Sequence, residues 1–445
     1  MSFAHLKVPL TRTLAEIANE YSTLHLESSD LESSVDTQYS VYPVLALSRK
    51  DHKSTIPQPQ PHPLYQTLAD ILFTPPDLFL SLTDYRIPPP PLSIAWHPRL
   101  PVIAIAQSTS ASLFLYDLRT SAYLPSALTL DSITTIAFSS KNTIAAALES
   151  GIVTLSTVNL KSNLIQYPLQ IILNKQSLGN LVGRINSLDF DNSARFLAIA
   201  TSKSGLWIHD LLYQHSFRLC THPTSSVHWS SGNFIAVSTK SAIFVYAYIH
   251  SGTGLAFSSP LRITLSPLRI APPSKSPKLN QVQWHADGKT LFYTLIDQPD
   301  VRIAFLYPSS IPGETPAYIH QPSIPTPFTS SGLMTYGGPI SSIALDPTAE
   351  RLVVSFTTSN LLASFFIRTQ SSASTTDISI PLGLIRGPDS PDNVPPVAIK
   401  FAGKFSRGAM LATVWEDSTV MFTPMYFLSP QTAFGGDRIG DRIWR

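Results

Sequence analysis

Between residues 92 and 118 the chain reads LSIAWHPRLPVIAIAQSTSASLFLYDL, three short β-prone runs separated by turn residues. The first, Leu92 to Trp96, ends in His97-Pro98; the second, Val102 to Gln107, is built from small and branched residues. The third, Leu113 to Asp117, alternates, with Leu113, Leu115 and Asp117 on one face and Phe114 and Tyr116 on the other. Hairpin-length spacing makes these runs neighbours in one antiparallel sheet. A sheet of three or four short strands leaves both of its faces uncovered, so it is stable only where like units stack against it.

The unit recurs. SIAWHP, TIAFSS, SLDFDN, SVHWSS, QVQWHA, SIALDP and AIKFAG supply seven first strands, anchored on Trp96, Phe138, Phe190, Trp229, Trp284, Leu345 and Phe401. A small-residue second strand follows each, as in NTIAAAL and RFLAIAT, and aromatic-rich third strands such as GLWIHDL, AIFVYAY and VRIAFLY close most units. The anchors recur every 39 to 61 residues, around and above the ~40–45 of propeller blades. The surplus falls in Ser/Pro/Gly-rich inserts at 160–183, 308–338 and 369–396, each predicted to add an outer strand and a surface loop that is a candidate for partner contact. Asp287-Gly288 predicts a tight turn between the first two strands of its unit.

The two ends predict how the ring shuts. Tyr39 to Ser48, YSVYPVLALS, reads as a strand with no unit of its own, while the last unit lacks a convincing outer strand. Pairing the two removes two exposed sheet edges at once. The predicted fold is therefore all-β: a seven-bladed β-propeller of WD-repeat type closed by an N-terminal strand. Residues 1–38 form an N-terminal extension and 39–427 the propeller, with the closing strand at 39–48, a Pro-rich connector at 49–91 and the blades at 92–427; 428–445 form a C-terminal tail. Within the extension, Thr13 and Glu16 have capping-box spacing and Leu14, Ile17, Ala18, Tyr21 and Leu24 share a helical stripe; the segment reads as a helix or strand lying on the main body, with a partner-binding amphipathic segment as the alternative. Leu64 to Phe73 carries a second, ten-residue stripe that needs tertiary support to be helical.

Composition narrows the function. Hydrophobic residues make up 43% of the 445 and charged residues only 13%, with a net charge of +2. There is no Lys/Arg block of the kind that binds nucleic acid or a membrane surface directly. No stretch approaches the ~20 apolar residues that cross a bilayer, and the N-terminus MSFAHLKVPLTRT lacks a signal-peptide core. The expectation is a soluble chain that meets a membrane only through a partner. A single cysteine, Cys220, excludes an internal disulfide.

The densest titratable stretch holds His209, Asp210, His215, Cys220, His222 and His228. Imidazole and thiolate suit zinc, but these intervals match no finger or ribbon spacing, and the segment runs through a third, an outer and a first strand. No metal site is expected there. Nucleophile-elbow, phosphate-loop and dinucleotide fingerprints are absent from the sequence. Asp117 and Asp210, in YDL and HDL, sit where propeller blades use a carboxylate in a structural turn. No catalytic, cofactor-binding or metal residue is assigned, the partner-binding residues are left unknown, and no enzyme is expected. A propeller hydrolase or lyase would require acids or histidines converging at the central channel.

The C-terminal segments GGPISSIALDPTAERLVVSF and LGLIRGPDSPDN, with IRGP followed by KFSRGAMLATVW and then PMYF, resemble aladin, the WD-repeat nucleoporin family. QVQWHADGKTLFYTLIDQPDVRIAFLYP and the early YPVLALSRKD are similar as well, so the likeness spans residues 39 to about 431. There are departures. No blade carries the full Gly-His to Trp-Asp signature, the family's helical insert is reduced to the region around Leu64 to Phe73, and its long C-terminal tail has no counterpart here. The resemblance implies a non-enzymatic scaffold of the nuclear pore complex at the nuclear envelope, supporting nucleocytoplasmic transport. Its partners would be other nucleoporins, above all a membrane-spanning one of the pore ring. A generic cytosolic WD-repeat adaptor is the alternative.

Overall fold

The structure, a computed structural model, describes residues 92–428 with gaps, together with N-terminal strands at Ala4–Leu6, Arg12–Ile17, Glu20–His25 and Leu45–Ser48. Seven antiparallel sheets form the blades. Their inner strands are Leu92–Trp96, Ile133–Phe138, Ile185–Phe190, Ser226–Trp229, Leu279–Trp284, Ile340–Leu345 and Pro396–Phe401. Every one ends on its predicted anchor. Each inner strand touches those of the blades before and after it, and the last touches the first, so the ring is closed.

The second strands show why the sheets stack. Thr143–Leu148, TIAAAL, is buried at every position after the first, and Phe196–Thr201, FLAIAT, at all six. A strand enclosed on both faces needs apolar residues on both, and small ones let neighbouring blades approach. The apolar core is accordingly divided into seven clusters, each between two adjacent blades. At the junction of blades 7 and 1, Phe422 stacks on Tyr116 at 5.6 Å and meets the edge of Trp96 at 5.9 Å. The seam is packed like the other six junctions.

Outer strands at Leu164–Ile171, Ala317–Pro325 and Ser379–Arg386 occupy the three long inserts, as expected. Asp287-Gly288 forms the predicted turn: Gly288 has φ 69°, and Asp287 Oδ1 accepts the N–H groups of Lys289 and Thr290, each at 2.8 Å. Blade 4 departs from the simple pattern. Its third strand, Ala242–Ser251, pairs with Leu261–Thr264 over one half and with Gly254–Phe257 over the other, so a hairpin extends beyond the ring.

The closing pairing involves more than one N-terminal segment. Leu45–Leu47 lies antiparallel to Val420–Phe422 of the last blade's third strand, and Leu14–Ile17 lies parallel to Met425–Leu428 further along the same edge. Of the two forms expected for residues 13–24 on the main body, helix and strand, the structure shows the strand. Arg12–Ile17 and Glu20–His25 are paired antiparallel strands, because a two-turn stripe forms a weak isolated helix whereas an open strand edge offers backbone bonds at once. Residues 39–44, the stripe at 64–73 and the tail beyond 428 lie outside the described residues.

Candidate functional site in the central channel

The anchor fixes what its neighbours on the inner strand do. The residue after it opens the turn to the second strand, and in six blades it is polar: His97, Ser139, Asp191, Ser230, His285 and Asp346. All six accept hydrogen bonds from turn N–H groups. His97 Nδ1 takes Arg99 N and Leu100 N, each at 3.0 Å; Ser139 Oγ takes Lys141 N and Thr143 N; Ser230 Oγ takes Gly232 N. Asp191 Oδ1 takes Arg195 N and Phe196 N, at 2.9 and 2.7 Å; Asp346 Oδ1 takes Arg351 N, and His285 Nδ1 takes Asp287 N. In blade 7 the position is Ala402, followed by Gly403, whose added Cβ would collide with the Pro98 carbonyl of blade 1.

The residue before the anchor has a different role. Asp189, His228, Gln283 and Lys400, from blades 3, 4, 5 and 7, line a cavity of about 340 Å³ at the centre of the ring. Three of them are held through their own carbonyls. The Trp229 indole N–H donates to Asp189 O at 3.2 Å, Trp284 to His228 O at 2.9 Å, and Trp96 to Lys400 O at 3.0 Å. Each ionisable residue of the channel layer is thus fastened by the tryptophan anchor of the next blade, including across the closure seam.

Burial sets the electrostatics of this layer. It raises the Asp189 carboxyl to about 7, against the opposing bond from Trp229 N at 2.8 Å and the Lys400 charge. It lowers His228 to about 4, and Lys400 adds to that effect. Lys400 is itself pushed down by its position deep in the ring, with Asp189 pulling it back up. Its side chain nevertheless opens on the channel, and Nζ donates to Ile94 O at 2.9 Å. Gln283 Oε1 is enclosed without a hydrogen-bond partner among the described residues. Gln281, which also lines the cavity, is occupied: its amide accepts from Ile343 N at 2.7 Å and donates to Ile343 O at 3.2 Å.

The His-rich stretch disperses. Asp210 receives Arg195 at 2.7 Å and the N–H groups of Leu212 and Tyr213; burial alone would raise its carboxyl, and these bonds hold it below the usual range. This is the structural turn expected of it, while the Asp117 side chain lies outside the described residues. His209 Nδ1 meets Ser216 Oγ at 2.8 Å, His222 stacks on Phe244, Cys220 is buried and His215 is exposed. Among the described residues no three of His, Cys, Asp and Glu come together as a metal site. His228 alone of the six reaches the channel. Sequence reasoning singled it out for a different chemistry and missed Asp189, Gln283 and Lys400. The signal was available in the register: they are the residues immediately before Phe190, Trp284 and Phe401.

An acid and a histidine do converge at the channel, as a hydrolase or lyase would require. Among the described residues one carboxylate lines the cavity, whereas glycoside hydrolases generally use two facing carboxyls, and the nearby Asp191 is engaged in its turn.

No family model matches the chain, and no curated protein matches it. Among solved structures, the β-propeller domain of Cps50 (Swd1) from Myceliophteria thermophila superimposes with a TM-score of 0.53 at 11% identity, covering 76% of this chain and 98% of that one. At that identity the likeness is one of fold alone. The chain shares the β-propeller architecture of that domain.

Proposed function

We propose that this propeller is a scaffold nucleoporin, held at the nuclear envelope by a membrane-spanning pore protein and supporting nucleocytoplasmic transport. The observation that carries the reading is the ordered C-terminal run similar to aladin. IRGP begins at Ile385 and closes blade 6, KFSRGAMLATVW ends in the second strand of blade 7, Gly408–Trp415, and PMYF lies in its third strand. Two parts of the run pack directly on one another. A Cβ on Gly387 would stand 2.5 Å from Trp415 Cη2, so the glycine of IRGP and the tryptophan of ATVW are complementary in shape.

Such a protein would act by shape, with rigid loop-lined faces on which hydrophobic anchors of a partner dock. Membrane contact would be indirect: among the described residues no helix is long and apolar enough to span a bilayer. Direct contact with nucleic acid is not part of the reading, given the thin net charge of +2. The test is affinity purification of the tagged chain from detergent-solubilised nuclear envelopes. Near-equimolar recovery of a membrane-spanning pore nucleoporin is expected. Recovery of soluble complexes alone would replace this reading with that of a generic WD-repeat adaptor.

A further inference from the structure

We infer that the central cavity is a binding site for a small zwitterion, a molecule of the amino-acid class carrying one ammonium and one carboxylate group. The volume, about 340 Å³, suits a small organic ligand. The unused bonding capacity of the lining sets its chemistry. Lys400 Nζ gives one N–H to Ile94 O and retains two more donors; Asp189 receives the N–H groups of Trp229 and Phe190, which leaves lone pairs on a carboxylate that can accept about four bonds; Gln283 Oε1 is an acceptor without a donor.

The charges set the ligand's polarity. Asp189 and Lys400 stand on blades 3 and 7, which are not neighbours, and they make no ion pair with each other. Each influences the other's titration, so both act on the same space. His228 is neutral at physiological pH; Lys400 is the cation of the lining, and Asp189, its carboxyl raised by burial to about 7, becomes the anion on losing its proton, which a bound ammonium favours. A dianion is repelled by Asp189 and a dication by Lys400. A dipolar ligand places its carboxylate on Lys400 and its ammonium on Asp189 and Gln283, compensating both charges in a site where burial penalises each.

The site is also fixed beforehand. The indoles of Trp229, Trp284 and Trp96 hold the carbonyls of Asp189, His228 and Lys400, which reduces the ordering cost of binding. This inference is independent of the nucleoporin reading, since it concerns the channel and not an outer surface.

The test is calorimetric titration of the full chain with glycine, β-alanine, 4-aminobutyrate and 6-aminohexanoate, whose charge separation increases along the series. Saturable binding is expected at one length, with the matched alkylamine and alkanoate at least about tenfold weaker, since each lacks one charge-assisted contact. Asp189→Asn and Lys400→Met should each lose about tenfold or more. Asp189→Asn retains the acceptor for Trp229 N, so it reports on binding even if Lys400→Met does not fold. Absence of saturable binding at every length up to about 10 mM ligand would overturn the inference. Binding unchanged by Asp189→Asn would overturn it as well.

Discussion

Asp191 and Asp189 sit two residues apart on blade 3, and their surroundings differ. Asp191 accepts the N–H groups of Ser193, Arg195 and Phe196 and the hydroxyl of Ser193, which occupies both carboxylate oxygens. Asp189 accepts fewer, from the N–H groups of Trp229 and Phe190, lies against a cavity and has its carboxyl raised by burial to about 7. Blades 4 and 5 repeat the contrast with histidines. His285 takes Asp287 N on one ring nitrogen and donates from the other to Ala349 O at 3.0 Å, whereas His228 lines the channel and burial takes it down to about 4. A buried polar group whose bonds are complete fixes geometry; one with capacity left over is available for chemistry or binding. The ring therefore has a structural layer and a reactive layer, separated by the anchors.

The largest effect comes from removing an anchor, which serves both layers. Trp96→Ala is expected to cost about 3–5 kcal/mol in denaturant unfolding, because the side chain fills the interface between blades 7 and 1. Trp96→Phe keeps most of that volume and loses the bond to Lys400 O, costing about 1 kcal/mol beyond any repacking. An alanine variant as stable as the parent would mean that Trp96 is not an anchor. A smaller but sharper comparison uses the two aspartates. Asp191→Ala leaves turn N–H groups unsatisfied and is expected to cost about 2–3 kcal/mol, while Asp189→Asn removes a charge that burial opposes and should leave the denaturation midpoint unchanged or raised. Equal losses at the two sites would erase the distinction between the layers.

Much of the ring was legible because one apolar position per blade recurs with a fixed local context. All seven anchors end the strands expected of them, and the inserts at 160–183, 308–338 and 369–396 hold outer strands. At Arg12–Ile17 the sequence does not choose between helix and strand, because its apolar spacing fits a helix and only the open edge of Val420–Leu428, remote in sequence, selects the strand. The hairpin of blade 4 was missed for a related reason: the long alternation of Ala242–Ser251 does not reveal that two partners share it. The channel layer was the least legible part. Asp189 and Lys400 lie 211 residues apart, and neither carries a motif. They meet because every inner strand converges on one axis, a property of the closed ring and not of any local pattern. His228 stood out in the sequence only because other histidines lie near it, and the fold separates it from them.

The pH dependence of stability gives the finest test of the reactive layer. Asp189 has its native carboxyl raised to about 7 from 3.8, so between those values the folded chain holds a proton that the unfolded chain has released, and stability falls as pH rises. His228 has its native imidazole lowered to about 4 from 6.5, so there the unfolded chain holds the extra proton and stability rises with pH. Each slope approaches about 1.4 kcal/mol per pH unit, with opposite sign, and between roughly pH 4.5 and 6 they nearly cancel. Of the other charged groups coupled to the pair, Lys400 supports ionised Asp189 and disfavours protonated His228, and Asp191 disfavours ionised Asp189. His209, also lowered by burial, is common to the parent and both variants and drops out of the differences. Relative to the parent, Asp189→Asn should therefore gain stability as pH rises through this window, and His228→Gln should lose it. Urea midpoints collected across the window read both slopes. Three parallel curves would mean that neither group changes its protonation on folding, and that the layer before the anchors is as inert as the layer after them.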